Sequence, residues 1–136
     1  MDIVVRAAAR LERYLNESAV RAIEKEIAAS GIEAGERAFR RLRKDPQNKL
    51  YFDEGEMNTL GYRLTGRGQV QEGIRVFQMN VEAFPASPNV YDSLAEAYMR
   101  SGDSKRAARN YRKSLELNPG NQNAKQMLQK LEQVGK

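Results

Sequence analysis

The sequence predicts an all-α fold, an array of helical hairpins, and three observations carry that reading. A unit of 34 residues is written twice between Glu54 and Asn121. Leu60 returns as Leu94, Gly61 as Ala95, Leu64 as Tyr98, Gly68 as Gly102, Gly73 as Ala107, Phe77 as Tyr111 and Pro85 as Pro119. A fixed period of this length with small, aromatic, glycine and proline marks signals a stacked helix–turn–helix architecture. Composition agrees: 30% of the residues are charged and only 7% aromatic, and the common residues are good helix formers. No segment sustains the period-2 alternation of a half-buried strand.

In chain order, residues 3–15 place Ile3, Ala7, Leu11 and Tyr14 on one helical face, with Val4, Ala8 and Leu15 beside them. Arg6, Arg10 and Arg13 fall opposite, which predicts an amphipathic helix. Asn16 or Ser18 can cap a second helix through Val20, Ile23 and Ile27. Gly31 stands where a helix end favours a left-handed residue. A third helix uses Ala34, Ala38, Phe39 and Leu42 and stops at Asp45-Pro46, because proline cannot continue the ladder. This pair makes a hairpin out of register with the later units, a degenerate cap over residues 1–46. Gln47 to Phe52 is a connection. Asp53 and Glu56 have capping-box spacing, and the first unit (54–87) pairs a helix over about 54–66 with one over about 69–84. Ser87-Pro88 opens the second unit (88–121) as N-cap and first-turn proline. Ser101-Gly102-Asp103 is its turn, with Asp103 as cap. A last helix (122–134) carries Ala124, Met127, Leu128 and Leu131, and the chain ends through Gly135-Lys136.

The expected cores are Met57, Leu60, Leu64 against Val70, Ile74, Phe77, and Tyr91, Leu94, Tyr98 against Ala107, Ala108, Tyr111. Gly61 and Ala95 let paired helices approach. Gly73, where the second unit has Ala107, costs ~1 kcal/mol of helix propensity. Two units alone bury too little, so the N-terminal helices and the 122–134 helix are expected to close the ends of one domain spanning 1–136.

The stretches MNTLGYRL…GRGQVQEGIRVF…FP and VYDSLAEAYMRSGDSKRAARNYRKSLELNP resemble the tetratricopeptide repeat. That resemblance implies a right-handed superhelical stack whose first helices line a concave side. Asn58, Tyr62 and Thr65 would point into it from the first unit, Asp92, Glu96 and Met99 from the second, and Gln126, Lys130 and Gln133 from the closing helix. Such a groove is polar, acidic at its centre and carries one aromatic, suited to an extended or helical protein segment. Solvated helix faces are the plainer reading of the same residues. A subclass of these repeats clamps a C-terminal carboxylate with basic side chains. Its positions fall here on Asn58, Tyr62, Ser93, Asn123 and Met127, none of them basic, so that clamp is absent.

Other chemistries find little support. Cysteine and histidine are both absent, which removes disulfides, thiolate sites, the commonest general base and any Ser-His-Asp triad. The spacing of Asp53, Glu54 and Glu56 suits helix capping, Ser93 has no base in its motif, and Gly66-Arg67-Gly68 follows no strand, so it is a turn and not a phosphate cradle. The expectation is a non-enzyme without cofactor or metal. The net charge is +5, from 23 basic and 18 acidic residues. The run Lys105, Arg106, Arg109, Arg112, Lys113, with Arg40, Arg41, Arg43 and Lys44, offers a weak nucleic-acid scaffold as one alternative. A solvated face with pairs such as Arg112–Glu116 is the other. No apolar run approaches a membrane span, and MDIVVRAAARLERYL lacks the unbroken apolar stretch of a secretory signal. The chain reads as soluble and non-secreted, cytoplasmic as it stands, and as a monomer or weak self-associator.

A closer likeness runs from about Ala22 to Leu131. IEKEIAASGIEAGERAFRRLRKD, EMNTLGYRL, FQMNVEAFPASPNVYDSLAEAYMRSGD and YRKSLELNPGNQNAKQMLQKL resemble the helical segment trailing some bacterial serine hydrolases of the β-lactamase/esterase type. No S-x-x-K nucleophile motif occurs. The likeness implies a C-terminal accessory segment of a larger hydrolase, which could lie outside the cytoplasm, or a stand-alone relative.

Overall fold

The structure is a computed structural model that describes residues 2–45 and 50–134, apart from the side chains of 12–17 and 134. Eight helices follow in order: α1 (Ile3–Glu17), α2 (Ala19–Ser30), α3 (Ile32–Lys44), α4 (Glu54–Gly66), α5 (Val70–Ala83), α6 (Pro88–Ser101), α7 (Ser104–Leu117) and α8 (Gln122–Val134). Among the described residues there is no strand, and only an isolated bridge joins Ser18 and Tyr51. The predicted side-chain roles of Arg13, Tyr14, Leu15 and Asn16, the connection over 47–49 and the end at Gly135-Lys136 lie outside the described residues. Packing groups the chain into two compact units, Met1–Asp53 and Glu54–Lys136.

In the first unit α2 and α3 form the predicted hairpin. Ser18 caps α2, its hydroxyl accepting from the Arg21 N–H at 3.1 Å. Gly31 ends α2 at a positive φ of 90°, where glycine is favoured as expected, but with ψ of 176° it lies outside the left-handed helical conformation itself. The hairpin buries Ala19, Val20, Ile23, Ala34, Ala38 and Phe39. Phe52 meets Phe39 edge-on with centroids 5.5 Å apart, a favoured arrangement of ring quadrupoles. The Ala19 N–H donates to the Tyr51 carbonyl at 2.9 Å, which ties the chain after α3 to the start of α2. Helix α1 forms as predicted, but among its described side chains the large apolar ones, Ile3, Val4, Val5 and Leu11, are all exposed.

The second unit repeats its bonds at the period of its sequence. Gly68 and Gly102 both turn at φ near +85° (85° and 86°), a conformation that costs glycine nothing and a β-carbon much. Around them the Gln69 N–H donates to Leu64 O and the Asp103 N–H to Tyr98 O, each at 2.9 Å. The tie at the other end recurs too. Buried Asn80 donates through Nδ2 to the Glu54 carbonyl at 3.1 Å, and buried Ser114 through Oγ to the Pro88 carbonyl at 2.9 Å. Each fastens the second helix of a hairpin to the first residue of its first helix. Asp103 caps α7 by accepting from the Arg106 N–H at 3.0 Å, and Asn121 caps α8 by accepting from the Ala124 N–H at 3.2 Å. Ser87 occupies the N-cap position of α6 without capping it; its hydroxyl donates instead to the Glu54 carboxylate at 2.6 Å.

The core of this unit joins Ile74, Phe77, Leu94, Ala95, Tyr98, Ala107, Tyr111, Ala124 and Leu128, with Met127 and Leu131 packed on its margin. Helix α8 therefore covers the α6–α7 hairpin as the sequence predicts. Tyr91 departs from expectation. It is only partly buried, while its neighbour Val90 is 1% exposed. The Tyr91 hydroxyl reaches back to the Pro85 carbonyl at 2.8 Å, a bond a core position would deny it. Gly61 and Gly73 serve close approach. A β-carbon on Gly61 would run into the Phe77 ring, and one on Gly73 would meet the Thr65 methyl, the Gly61 carbonyl at 3.1 Å and the Thr65 nitrogen at 3.3 Å.

Candidate functional site

Within the Glu54–Lys136 unit, the face shared by α4, α6 and α8 is fastened across helices by side-chain bonds between successive hairpins. Tyr62 on α4 leans its ring edge-on against Phe77, centroids 5.1 Å apart. Its hydroxyl donates to Glu96 Oε2 on α6 at 2.7 Å and lies 3.2 Å from Ser93 Oγ. One unit further on, Asp92 accepts from Asn123 Nδ2 of α8 at 3.2 Å and 3.4 Å to its two oxygens. The separations Tyr62–Ser93 and Asp92–Asn123 are both 31 residues. The same stagger therefore joins each first helix to the next, which requires the units to nest in register.

Burial and charge shape this face together. Burial pushes the Tyr62 hydroxyl up to about 12; the Ser93 hydrogen bond opposes this, while the bond to Glu96 and the charges of Glu96 and Asp92 add to it. Asp92 is held above the ordinary carboxylate range, first by burial and then by the charge of Glu96, against the lowering effect of its Asn123 bond. Tyr111 beneath is also raised, by burial first and then by the charges of Asp92 and Glu96. The seam is thus a half-buried acidic strip whose polar groups are already fixed on one another.

The residues expected in the groove divide. Tyr62, Asp92 and Glu96 are brought together in the seam. Asn58, one turn before Tyr62, is partly buried with its Oδ1 buried and unbonded among the described residues. Met99 is partly buried against the core, and Gln126, Lys130 and Gln133 are exposed on α8. Thr65 is corrected: at 1% exposure it belongs to the α4–α5 contact. Its hydroxyl donates to the Tyr62 carbonyl at 3.1 Å, and its methyl fills the space a β-carbon on Gly73 would need. Ser93 and Asn123, which the sequence places at positions of a clamp that lacks its cations and, for Ser93, as a nucleophile without a base, are seam residues. The signal for them was the 31-residue stagger, which follows from the repeat length once facing residues of successive first helices are offset by about one turn.

The basic run on α7 is also rearranged. Arg106 lies over the Tyr98 ring at 5.8 Å and pairs with Asp103 at 3.5 Å. Glu116 pairs with Lys113 at 3.4 Å and not with Arg112 as expected. Among the described residues no group of three or more His, Cys, Asp and Glu side chains could hold a metal, and no helix is long and apolar enough to cross a membrane.

Residues 88–121, the α6–α7 hairpin with its following turn, match the family model described as Tetratricopeptide repeat. No curated protein matches the chain. Repeats of this family generally mediate protein–protein interaction and are typically non-catalytic scaffolds. The α6–α7 hairpin is thus similar to a tetratricopeptide repeat, and α4–α5 reproduces its turn and its inter-helix tie one period upstream.

Proposed function

We propose that the Glu54–Lys136 unit binds a segment of a protein partner along the α4–α6–α8 face and performs no chemistry of its own. The observation that carries this reading is the inter-unit seam, Tyr62 to Glu96 and Ser93, and Asp92 to Asn123. Side chains already held by one another lose little further freedom when a ligand arrives, which lowers the ordering cost of binding. Tyr62, 38% exposed, supplies an aromatic surface, and Met99 a polarisable one at the margin. The Glu96 carboxylate lies at the centre, and the exposed Gln126 and Lys130 extend the polar rim along α8. A segment recognised here meets hydrogen-bonding groups and one ring, in the manner of peptides bound by helical grooves. The carboxylates near the amino end of α4 support a structural role, since Glu54 accepts from Ser87. The test is Tyr62→Ala combined with Glu96→Lys. A partner recovered with the native chain should be lost with this variant while helicity by circular dichroism is unchanged; retained binding would move the site elsewhere.

The likeness of residues 22–131 to segments trailing serine hydrolases favours a second reading, an accessory segment packed on a catalytic domain. A reading frame with an S-x-x-K domain upstream supports it, and a frame beginning at Met1 rejects it.

A further inference from the structure

A cavity of about 380 Å³ opens between α6 and α7, lined by Tyr91, Arg109, Asn110, Arg112, Lys113 and Glu116. It shares no residue with the α4–α6–α8 seam. Its chemistry is opposite in sign to the seam's. Arg109 and Arg112 lie three residues apart on one face of α7, both are exposed, and neither guanidinium is ion-paired among the described residues. The one lining carboxylate, Glu116, is taken by Lys113. The Asn110 amide is turned away, donating to the Arg106 carbonyl at 2.9 Å. Three cations against one anion leave the cavity with an excess of two positive charges.

From this we infer a second binding site, independent of the groove, that takes a phosphate monoester. The guanidinium fork matches tetrahedral oxyanions in geometry, and a monoester near neutral pH carries close to two negative charges, which balances the excess. The cavity is larger than a phosphate group fills. Tyr91 supplies the remaining wall, and its hydroxyl is anchored on the Pro85 carbonyl at 2.8 Å, which restrains the ring. The ligand is therefore a phosphate carried on a compact body that lies along that ring. A phosphorylated protein side chain and a small phosphate ester share this chemistry. A nucleic-acid backbone, with one charge per phosphate, matches it less well.

The experiment is calorimetric titration of the full chain with phenyl phosphate and, in a second arm, with a phosphoserine peptide. At least one should bind saturably, and the tighter of the two names the source. Arg109→Gln with Arg112→Gln should weaken binding by roughly tenfold or more, since each removes charged hydrogen bonds. Because both positions are exposed, helicity should be unchanged. Glu116→Gln should tighten binding by about twofold to fivefold by releasing Lys113. Phenyl sulfate, of the same shape with one charge, should bind several-fold more weakly. No saturable binding in either arm, equal binding by the arginine variant, equal binding of phenyl sulfate, or tighter binding of a single-stranded oligonucleotide would each overturn the proposal. Loss of the groove partner on Tyr62→Ala with Glu96→Lys leaves this titration unaffected, so the two sites fail separately.

Discussion

Replacing Gly73 by alanine sets two effects of known size against each other. Helix propensity favours alanine in mid-helix by about 1 kcal/mol, and the 88–121 repeat does carry Ala107 at this place. Packing opposes it. A β-carbon on Gly73 meets the Thr65 methyl, the Gly61 carbonyl at 3.1 Å and the Thr65 nitrogen at 3.3 Å. The last two are backbone atoms of α4, and the methyl belongs to a β-branched side chain with little rotamer freedom in a helix. Relief therefore requires α4 and α5 to part, and overpacking of this kind costs typically about 1–3 kcal/mol. Gly73→Ala should come out net destabilising, by roughly 1 kcal/mol after the propensity gain. Thr65→Ser removes the offending methyl and keeps the hydroxyl bond to the Tyr62 carbonyl. Alone it should cost about 1 kcal/mol for the lost buried methyl. Together the two should be less destabilising than their sum by about 1 kcal/mol or more, a coupling expected of residues in direct contact. Urea unfolding followed by circular dichroism measures all four species. Stabilisation by Gly73→Ala alone, or strict additivity in the pair, would refute the packing argument.

Two further outcomes follow from the second unit. Leu128→Ala, deep in the α7–α8 contact at 8% exposure, should cost about 2–3 kcal/mol in thermal or urea unfolding; a change below about 0.5 kcal/mol would mean α8 does not close the array. Asp92 is protonated more readily in the folded chain than in the unfolded one. Stability is then present below the ordinary carboxylate pKa of about 3.9 and is lost as pH rises through the raised folded value. Asp92→Asn, which still offers an oxygen to Asn123, should melt higher than the native chain near neutral pH, with the gap closing at about pH 3; a gap of opposite sign would show that the Asn123 bond outweighs burial.

The architecture was legible because the repeat writes its marks at backbone level. Gly68 and Gly102, Pro85 and Pro119, and Asp103 before α7 each act on their own turn, so a local reading finds them. What was not legible depended on neighbours distant in sequence. Tyr91 has helical spacing for the core, yet its hydroxyl prefers the Pro85 carbonyl and Val90 is buried instead. Ser87 has the form of a cap, but its hydroxyl donates its hydrogen bond to Glu54, far upstream. Thr65 has the spacing of a groove residue, and only the missing side chain at Gly73 explains why it is buried. The apolar stripe on α1 reads as a buried face, whereas Ile3 is 81% exposed; amphipathicity states what a helix is able to bury and not whether anything covers it. In the candidate site, the residue types were readable and their mutual bonds were not, because the stagger between units is a packing property.

The most direct measurement is a double-mutant cycle between Tyr62→Phe and Glu96→Ala, residues one full period apart. If the hairpins nest in register, the partly exposed bond of a hydroxyl to a carboxylate should appear as a coupling of about 0.5–1 kcal/mol. A coupling indistinguishable from zero would mean the two side chains do not meet, and the seam on which the interaction face rests would not exist.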